Sequence, residues 1–414
     1  MSKVAGAIPS WYWPVGVPRR ISVPQQPVER LLRRQAAAAK ERPAIESAGK
    51  KLTYGELVDQ AMALAGGIQG LNLAATIAVA EHDGLEALLL ALAGLFADKQ
   101  IYLFDPGEPT EIHAARLQAA GVAAVLTTSG AGEAPQKAGL PILGKSELVG
   151  TFRESMKPKR ATDPALLISS DRGIVIHSHF SLIAMWTSLA AFIPRLREMA
   201  FLCTSPVGSW EALAGIVGAL LQGMPVVFCE ATEVGREGRW TSDREGYSIV
   251  DRFTADELLR RRSIPPLLAD LRYLFVSTGY FAPRWREQME KLCGRPIYPI
   301  WGLPEVGPIV APHPTWFPRK SHGFPLVNVS LVPFDSTTGR VSIVPWEMLE
   351  QAEVCVETLS GMIGYAGSSA DAGVRVGKLF RTRQVASIDN VGVVTLHSPP
   401  PRVSEEEGTV GNAS

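Results

Sequence analysis

Short apolar segments alternate with helical patterns over most of the chain, and this alternation restricts the possible folds more than any other feature. Strand-like segments at 76–80 and 101–104 are followed by helical patterns at 84–97 and 111–120. Strands joined by helices of this length form βαβ units, in which neighbouring strands run parallel. The sequence therefore predicts an α/β protein with mostly parallel sheets.

Changes in this pattern divide the chain into five predicted regions. These are an N-terminal arm with a first helix (1–44), a first α/β subdomain (45–160), a second α/β subdomain (161–324), a β-rich subdomain (325–398) and a tail (399–414). Short strands separated by turns favour a small β unit after residue 325. Three consecutive prolines and three consecutive glutamates predict that the tail is disordered.

One helix start can be predicted in detail. Thr53 precedes a helical pattern, and Glu56 follows three residues later. This is the spacing of a capping box, in which each side chain binds the backbone N–H of the other residue. We therefore expect a helix that begins directly after Thr53.

Composition excludes several classes of function. The 414 residues contain 41 basic and 41 acidic side chains, so no basic excess indicates binding to nucleic acid. No apolar run reaches the roughly 20 residues that a membrane-spanning helix needs. The four cysteines lack the spacing of metal sites and are interpreted as reduced thiols of a cytoplasmic protein.

Six segments resemble, in the right order, motifs of the AMP-forming acyl-CoA synthetases and the wider adenylate-forming superfamily. The opening WYWPVGVP is closest to that of long-chain acyl-CoA ligases, and LTYGEL matches a further motif. The other segments lie at 90–106, 168–179, 271–283 and 300–307. The resemblance implies the family's large N-terminal domain alone, with two stacked doubly wound sheets and a small β-barrel-like subdomain. It predicts that the mobile C-terminal domain, which carries the family's catalytic lysine, is absent.

The resemblance also implies a cleft for ATP or AMP with Mg²⁺ at the carboxyl ends of the strands. Eleven residues match nucleotide-binding positions of the family, and Glu305 also matches its metal ligand. They are Arg172, Gly173 and His179 of the phosphate loop, Ser277, Thr278, Gly279 and Tyr280 of the adenine turn, Trp301, Gly302 and Glu305 of the next motif, and Gln384 of the ribose motif.

The phosphate loop departs from the family pattern in ways that weaken phosphate binding. Its glycine-rich half is missing, which removes backbone N–H groups that would hold phosphate. Arg172 replaces the family's lysine, and Asp171 adds a negative charge. An arginine can bind phosphate oxygens, but we interpret this segment as a structural turn.

The remaining motifs are altered as well. Pro304 replaces a threonine, Thr278 a glycine, and Gln384 the aspartate that binds ribose. Trp301 and Tyr280 have two interpretations, which are stacking on adenine and filling an empty pocket as core residues. The resemblance thus implies ATP or AMP with Mg²⁺ as cofactors, and the altered motifs imply that both have been weakened or lost.

Three functions are consistent with these observations. The first is a catalytically impaired synthetase-like protein that acts as an accessory or binding subunit, with a protein partner or a second copy of itself and an acyl or carboxylate ligand. The second is an active acyl-adenylate-forming ligase completed by a separate lysine-bearing domain. The third is an unrelated α/β binding protein. In the first case we expect Glu305→Ala to leave stability and function nearly unchanged.

Overall fold

Helices and strands alternate in the computed structural model, which describes residues 13–47, 49–104, 109–154, 158–229, 244–315, 321–367 and 373–398. The predicted tail at 399–414 lies outside these residues. The helices are α1 (Val28–Ala38), α2 (Tyr54–Gly70), α3 (Gly84–Phe96), α4 (Thr110–Ala119), α5 (Ala134–Lys137), α6 (His179–Phe192), α7 (Trp210–Gln222), α8 (Arg252–Arg261), α9 (Pro266–Ala269) and α10 (Pro283–Cys293).

The strands include the predicted segments at 76–80 and 101–104, which correspond to β3 and β4. The first twelve are β1 (Pro43–Ser47), β2 (Lys50–Thr53), β3 (Thr76–Ala80), β4 (Gln100–Phe104), β5 (Val122–Thr127), β6 (Ile142–Gly144), β7 (Pro164–Ser170), β8 (Gly173–Ser178), β9 (Ala200–Cys203), β10 (Val226–Phe228), β11 (Gly246–Val250) and β12 (Tyr273–Ser277). The others are β13 (Tyr298–Leu303), β14 (Gly307–Ala311), β15 (Phe324–Pro325), β16 (Val329–Asp335), β17 (Arg340–Val341), β18 (Ala352–Thr358), β19 (Gly364–Tyr365), β20 (Arg375–Val376), β21 (Leu379–Ile388) and β22 (Val394–His397).

Three sheets contain these strands. The first has seven strands in the order β19-β8-β7-β4-β3-β5-β6, and the second has nine in the order β15-β14-β13-β12-β11-β9-β10-β1-β2. Both are mostly parallel, as the βαβ pattern predicts. The third is a six-stranded antiparallel sheet of β16–β18 and β20–β22, in the region where the sequence predicts a barrel-like β unit. The predicted α/β architecture with two large sheets and a β-rich subdomain is confirmed.

The period of two residues along each strand separates the layers. In β3, Ile77 and Val79 belong to the apolar core that contains α1, α2, α3, α6 and α7, whereas Ala78 and Ala80 belong to a separate core on the opposite face. A third core packs α8 and α10 against the outer face of the nine-stranded sheet. The five central helices are therefore buried between the two large sheets, which explains why α3 and α6 are apolar nearly all round.

The predicted capping box begins α2. Thr53 accepts a hydrogen bond from Glu56 N, and the Glu56 carboxylate accepts one from Thr53 N. The first residue of this helix, Tyr54, is fully buried and donates its hydroxyl to backbone carbonyls at the end of α7. The local cap and the tertiary contact fix the helix in one place.

Sheet membership does not follow chain order. Strands β1 and β2 pair with β10 in the nine-stranded sheet, and β7 pairs with β4 in the seven-stranded sheet. Strands from both sides of the predicted boundary between 160 and 161 thus share a sheet. Residues 13–27 form neither helix nor strand, and the Trp13 ring packs on Phe192 of α6.

None of the helices within the described ranges is long and apolar enough to cross a membrane.

Candidate functional site

The predicted phosphate loop is the tip of an antiparallel hairpin. Strands β7 and β8 pair from Leu166 opposite His177 to Ser170 opposite Gly173, so only Asp171 and Arg172 form the turn. The Ser170 hydroxyl accepts a hydrogen bond from Arg172 N and donates one to Gly173 O. A two-residue turn with these internal contacts presents few free N–H groups to an anion.

The Arg172 side chain binds the third sheet. Its guanidinium donates to the carbonyl oxygens of Arg381 and Thr382, at 3.0 Å each. The neighbouring residues of β21 are themselves fixed, because Arg381 forms a two-point ion pair with Glu353 and Thr382 donates to Val354 O. In this structure, the side chain predicted to hold phosphate connects the hairpin to the β-rich subdomain.

Glu305 lies close to the same hairpin and has a protein partner. It is 3% exposed, and its Oε1 accepts a 2.7 Å hydrogen bond from the Tyr365 hydroxyl. Arg172 is a further hydrogen-bond partner of this hydroxyl. Burial, followed by the contact with the Glu305 carboxylate, raises the pKa of Tyr365, so the hydroxyl stays protonated and donates at neutral pH. A Cβ at Gly173 would lie 3.3 Å from the Tyr365 ring, so glycine allows the ring to approach the hairpin.

Two histidines of this region occupy different places. His177 in β8 is fully buried, and its Nε2 lies 2.7 Å from Pro304 O, an acceptor, so Nε2 carries the proton. Burial lowers the pKa of His177 to about 4, and the imidazole is neutral at pH 7. His179 lies beyond the far end of β8, where its Nδ1 is 3.3 Å from both Val28 N and Glu29 Oε2. The structure therefore separates His179 from the hairpin tip.

The predicted adenine turn follows β12 and is held from two sides. Arg252 donates to the Thr278 hydroxyl at 3.1 Å, and Thr278 N donates to Ile300 O. Gly279 O accepts from His322 Nε2 at 3.1 Å. Burial lowers the pKa of His322 to about 4, so this donor is a neutral imidazole.

Gln384, at the predicted ribose position, does contact this turn. A Cβ at Gly279 would lie 3.3 Å from Gln384 Oε1. The amide nitrogen of Gln384 donates to the carbonyl oxygens of Val385 and His397. The structure thus brings Gln384 and Gly279 together, with the glutamine amide bound to backbone.

The two aromatic candidates differ in environment. Trp301 in β13 is 2% exposed and belongs to the central core, as in the second interpretation of this residue. Tyr280 is 45% exposed, next to the adenine turn. Gly302 is half-buried, and a Cβ there would lie 2.7 Å from the Trp210 ring. Trp210 therefore fills the space beside the motif.

Ser277 contacts Glu211, an ionisable residue that sequence patterns did not identify. Glu211 in the first turn of α7 is hydrogen bonded to the hydroxyls of Ser277 and Ser209. Burial, with a smaller contribution from the charge of Asp251, raises the pKa of Glu211 to about 7. A carboxyl in an apolar helix carries no distinctive sequence signal, because its burial is decided by the strands that surround α7. Tyr365 was missed for the same reason.

An open cleft of about 980 Å³ lies beside the hairpin, at the carboxyl ends of strands from both large sheets. Its walls are formed by residues after β3, β9, β10 and β11 and by the last two residues of β4, and it reaches Ser169 of β7. This is the position at which open α/β sheets bind ligands.

The residues at the hairpin do not form a cradle for Mg²⁺ and polyphosphate. Glu305 Oε1 is bound to Tyr365, Arg172 is bound to carbonyl oxygens, and Asp171 at the tip is negative. Within the described ranges, no three His, Cys, Asp or Glu side chains are grouped closely enough to hold a metal ion. In this conformation the groups present do not fit the cofactor pair that the resemblance implies.

Comparison with known proteins identifies the type of fold. Residues 32–166, about a third of the chain, match the sequence model of the family "AMP-binding enzyme". No curated protein matches the chain.

Solved structures match nearly the whole chain at low identity. The o-succinylbenzoate CoA synthetase MenE from Bacillus subtilis, with a product analogue, has a TM-score of 0.78 at 18% identity, over 91% of this chain and 79% of that one. A long-chain-fatty-acid-CoA ligase, FadD1 from Archaeoglobus fulgidus, has a TM-score of 0.78 at 16% identity, over 94% and 87%. The nonribosomal peptide synthetase FmoA3 has a TM-score of 0.76 at 18% identity, over 94% and 46%. The protein therefore has the fold of adenylate-forming proteins, and a third of its sequence carries the signature of AMP-binding enzymes.

Proposed function

We propose that this protein is a catalytically impaired relative of adenylate-forming ligases that acts as an accessory or binding subunit. One observation carries the proposal: Arg172, Glu305 and Gln384 are each bound by other groups of the same chain. Activation of a carboxylate by ATP needs cations and free donors where negative charge develops. Here the corresponding side chains are already hydrogen bonded to other groups of the chain.

The proposal predicts which ligands the protein does not use. Because Arg172 and Glu305 are paired within the chain and the turn offers few free N–H groups, ATP with Mg²⁺ gains little over AMP at the hairpin. An acyl or carboxylate ligand and a protein partner, or a second copy of the chain, remain the expected binding functions. Light scattering on the purified protein measures whether it self-associates.

ATP–pyrophosphate exchange tests the proposal directly. We expect no acid-dependent exchange from the purified chain over a broad panel of carboxylic acids, with an active adenylate-forming enzyme as positive control. Glu305→Gln is the matched variant, because glutamine still accepts a hydrogen bond from Tyr365 while the charge is lost. Exchange that requires an acid and disappears in Glu305→Gln would contradict the proposal.

A second candidate is an active ligase completed by a separate lysine-bearing domain. The observation that favours it is that Tyr365 lies against both Glu305 and Gly173, so the matched glutamate and the start of the Gly173–Ser178 strand are close together. Calorimetry with ATP and AMP in the presence of Mg²⁺ separates the two candidates. Binding, together with exchange after addition of such a domain, supports the second; the absence of binding rules it out.

A further inference from the structure

The cleft beside the hairpin has an acidic wall. Glu81, Asp83 and Asp251 line it, and no lysine or arginine is among the described residues that do. His82, which is exposed at the cleft, is the one basic side chain of that lining. Arg252, although adjacent to Asp251, directs its guanidinium to Asp256 and Thr278 instead.

Local hydrogen bonds hold these carboxylates in place. Asp83 accepts from the first amides of α3, and Asp251 accepts from Thr254 N at the start of α8. Glu81 accepts from Thr128 N and from the hydroxyls of Thr128 and Ser129. Although burial opposes it, these hydrogen bonds lower the pKa of Glu81. A helix N-terminus carries a partial charge of about +0.5, which offsets only part of each aspartate charge.

Aromatic rings complete the wall. Phe104, Phe228 and Phe253 line the cleft together with Val79 and Leu103. Phe253 is 78% exposed at the first turn of α8 and belongs to none of the apolar cores formed by the described residues. Carboxylates next to phenyl rings attract an organic cation both by charge and through the negative faces of the rings.

One hydroxyl in the wall of the cleft is buried without a hydrogen-bond partner among the described residues. Thr204 lines the cleft, is 8% exposed, and its Oγ1 has no hydrogen-bond partner within the described part of the chain. A buried polar group without a partner is uncommon in native proteins and costs stability. Rotation about χ1 exchanges the positions of its hydroxyl and methyl groups, so the hydroxyl can turn towards a bound molecule.

We propose that this cleft binds an organic ammonium ion, that is, a protonated amine on an apolar or aromatic body. The cleft volume of about 980 Å³ accommodates such a molecule. The same negative wall disfavours polyanions such as nucleoside triphosphates. The inference extends the proposed function by naming a ligand class, and it rests on that function only in treating the chain as a binding protein.

Three probes of similar size and different charge test the inference by calorimetry on the full chain at low salt. They are phenethylamine, phenethyl alcohol and 3-phenylpropionate, which are cationic, neutral and anionic at pH 7. We expect the amine to bind about tenfold more tightly than the alcohol, the anion not to bind, and the preference for the amine to shrink at high salt. Equal affinities for the three probes, or tighter binding of the anion, would overturn the proposal.

Variants locate the binding. Asp83→Asn keeps a good helix cap but removes the charge, and Phe253→Ala removes an exposed ring, so both should fold normally. We expect each to weaken phenethylamine binding by about threefold to tenfold. The controls are Asp59→Asn and Ile343→Ala, at exposed positions outside the cleft lining. If the controls weaken binding as much as the cleft variants do, the proposed site is wrong.

Pyrophosphate exchange is measured separately, so failure of this binding test is distinguishable from failure of the proposed function.

Discussion

Two neighbouring sites at the same strand-end edge differ in what their polar groups do. At the hairpin, Arg172, Glu305 and Gln384 are paired with other groups of the chain. In the adjoining cleft, the Thr204 hydroxyl has no hydrogen-bond partner among the described residues, and an open volume faces three carboxylates. The residue types at the hairpin are those of a ligand site, but their pairing makes them part of the scaffold. Whether polar groups are free to contact a ligand, more than which residue types are present, distinguishes a site that can bind a ligand from one that cannot.

The largest expected effect is on the pH dependence of stability, and it comes from Glu211, which is close to residues of both sites. The pKa of Glu211 is about 7 in the folded protein, and its ordinary value is 4.5. As the pH rises, the unfolded chain therefore releases the Glu211 proton at a lower pH than the folded protein does. Wild-type stability should therefore fall by roughly 3 kcal/mol between pH 4.5 and pH 8 through this group. Glu211→Gln does not titrate, so its stability relative to wild type should rise over the same range.

Urea unfolding of both proteins at pH 4, 6 and 8 measures this difference. The exposed Glu287→Gln provides the control, for which we expect no comparable change. A pH-independent difference between Glu211→Gln and wild type would show that the pKa of Glu211 is the same in the folded and unfolded states.

Arg172→Ala tests whether the hairpin arginine is structural. Its loss removes two charge-assisted hydrogen bonds to carbonyl oxygens, and we expect a decrease of about 2 kcal/mol in the free energy of unfolding. Arg383→Ala is the control, since Arg383 is exposed on β21, the strand that Arg172 contacts. Equal stability of the two variants would mean that Arg172 is free to bind a ligand, which would remove the contrast between the sites.

Tyr365→Phe tests the pairing with Glu305. The ring remains on the hairpin, but the buried carboxylate loses its donor, so we expect a loss of about 1–2 kcal/mol. Tyr280→Phe should change stability little, because Tyr280 is largely exposed. If Tyr365→Phe instead gains Mg²⁺-dependent ATP binding, the tyrosine blocks an otherwise competent site.

The same burial changes the expectation for Glu305→Ala. From the sequence, little effect on stability was expected. Since Glu305 is buried and accepts from Tyr365, its removal leaves a donor unsatisfied and should cost about 1–3 kcal/mol.

Thr204→Val has the smallest expected effect on stability, and unlike the preceding variants it is not expected to destabilise the protein. It replaces an unpaired buried hydroxyl by a methyl group of similar size, so we expect stability to be unchanged or to increase by up to about 1 kcal/mol. Thermal unfolding of Thr204→Val and of Thr187→Val measures this, since Thr187 does donate a hydrogen bond, to Ile183 O. A marked loss of stability in Thr204→Val would show that the hydroxyl has a partner. The cleft would then resemble the hairpin, where the polar groups are paired.

Much of the secondary structure could be predicted because its causes are local. The spacing of Thr53 and Glu56 begins α2, and the helical patterns at 84–97 and 111–120 correspond closely to α3 and α4. The segment after Ser170 was harder to predict. It was interpreted as a structural turn. Asp171 and Arg172 form a turn, but the residues that follow form strand β8, because pairing with β7 and β19 determines their conformation.

The sequence by itself determined the layered α/β fold, because periodicity and capping act between residues close in the chain. It also located Arg172, Glu305 and Gln384 through their resemblance to known motifs. Only the tertiary structure decided that Arg172 binds a strand some two hundred residues away and that Tyr365 binds Glu305. The physical reason is that hydrogen-bond partners, burial and the resulting pKa values depend on which strands meet at one edge of a sheet, and no local pattern records this.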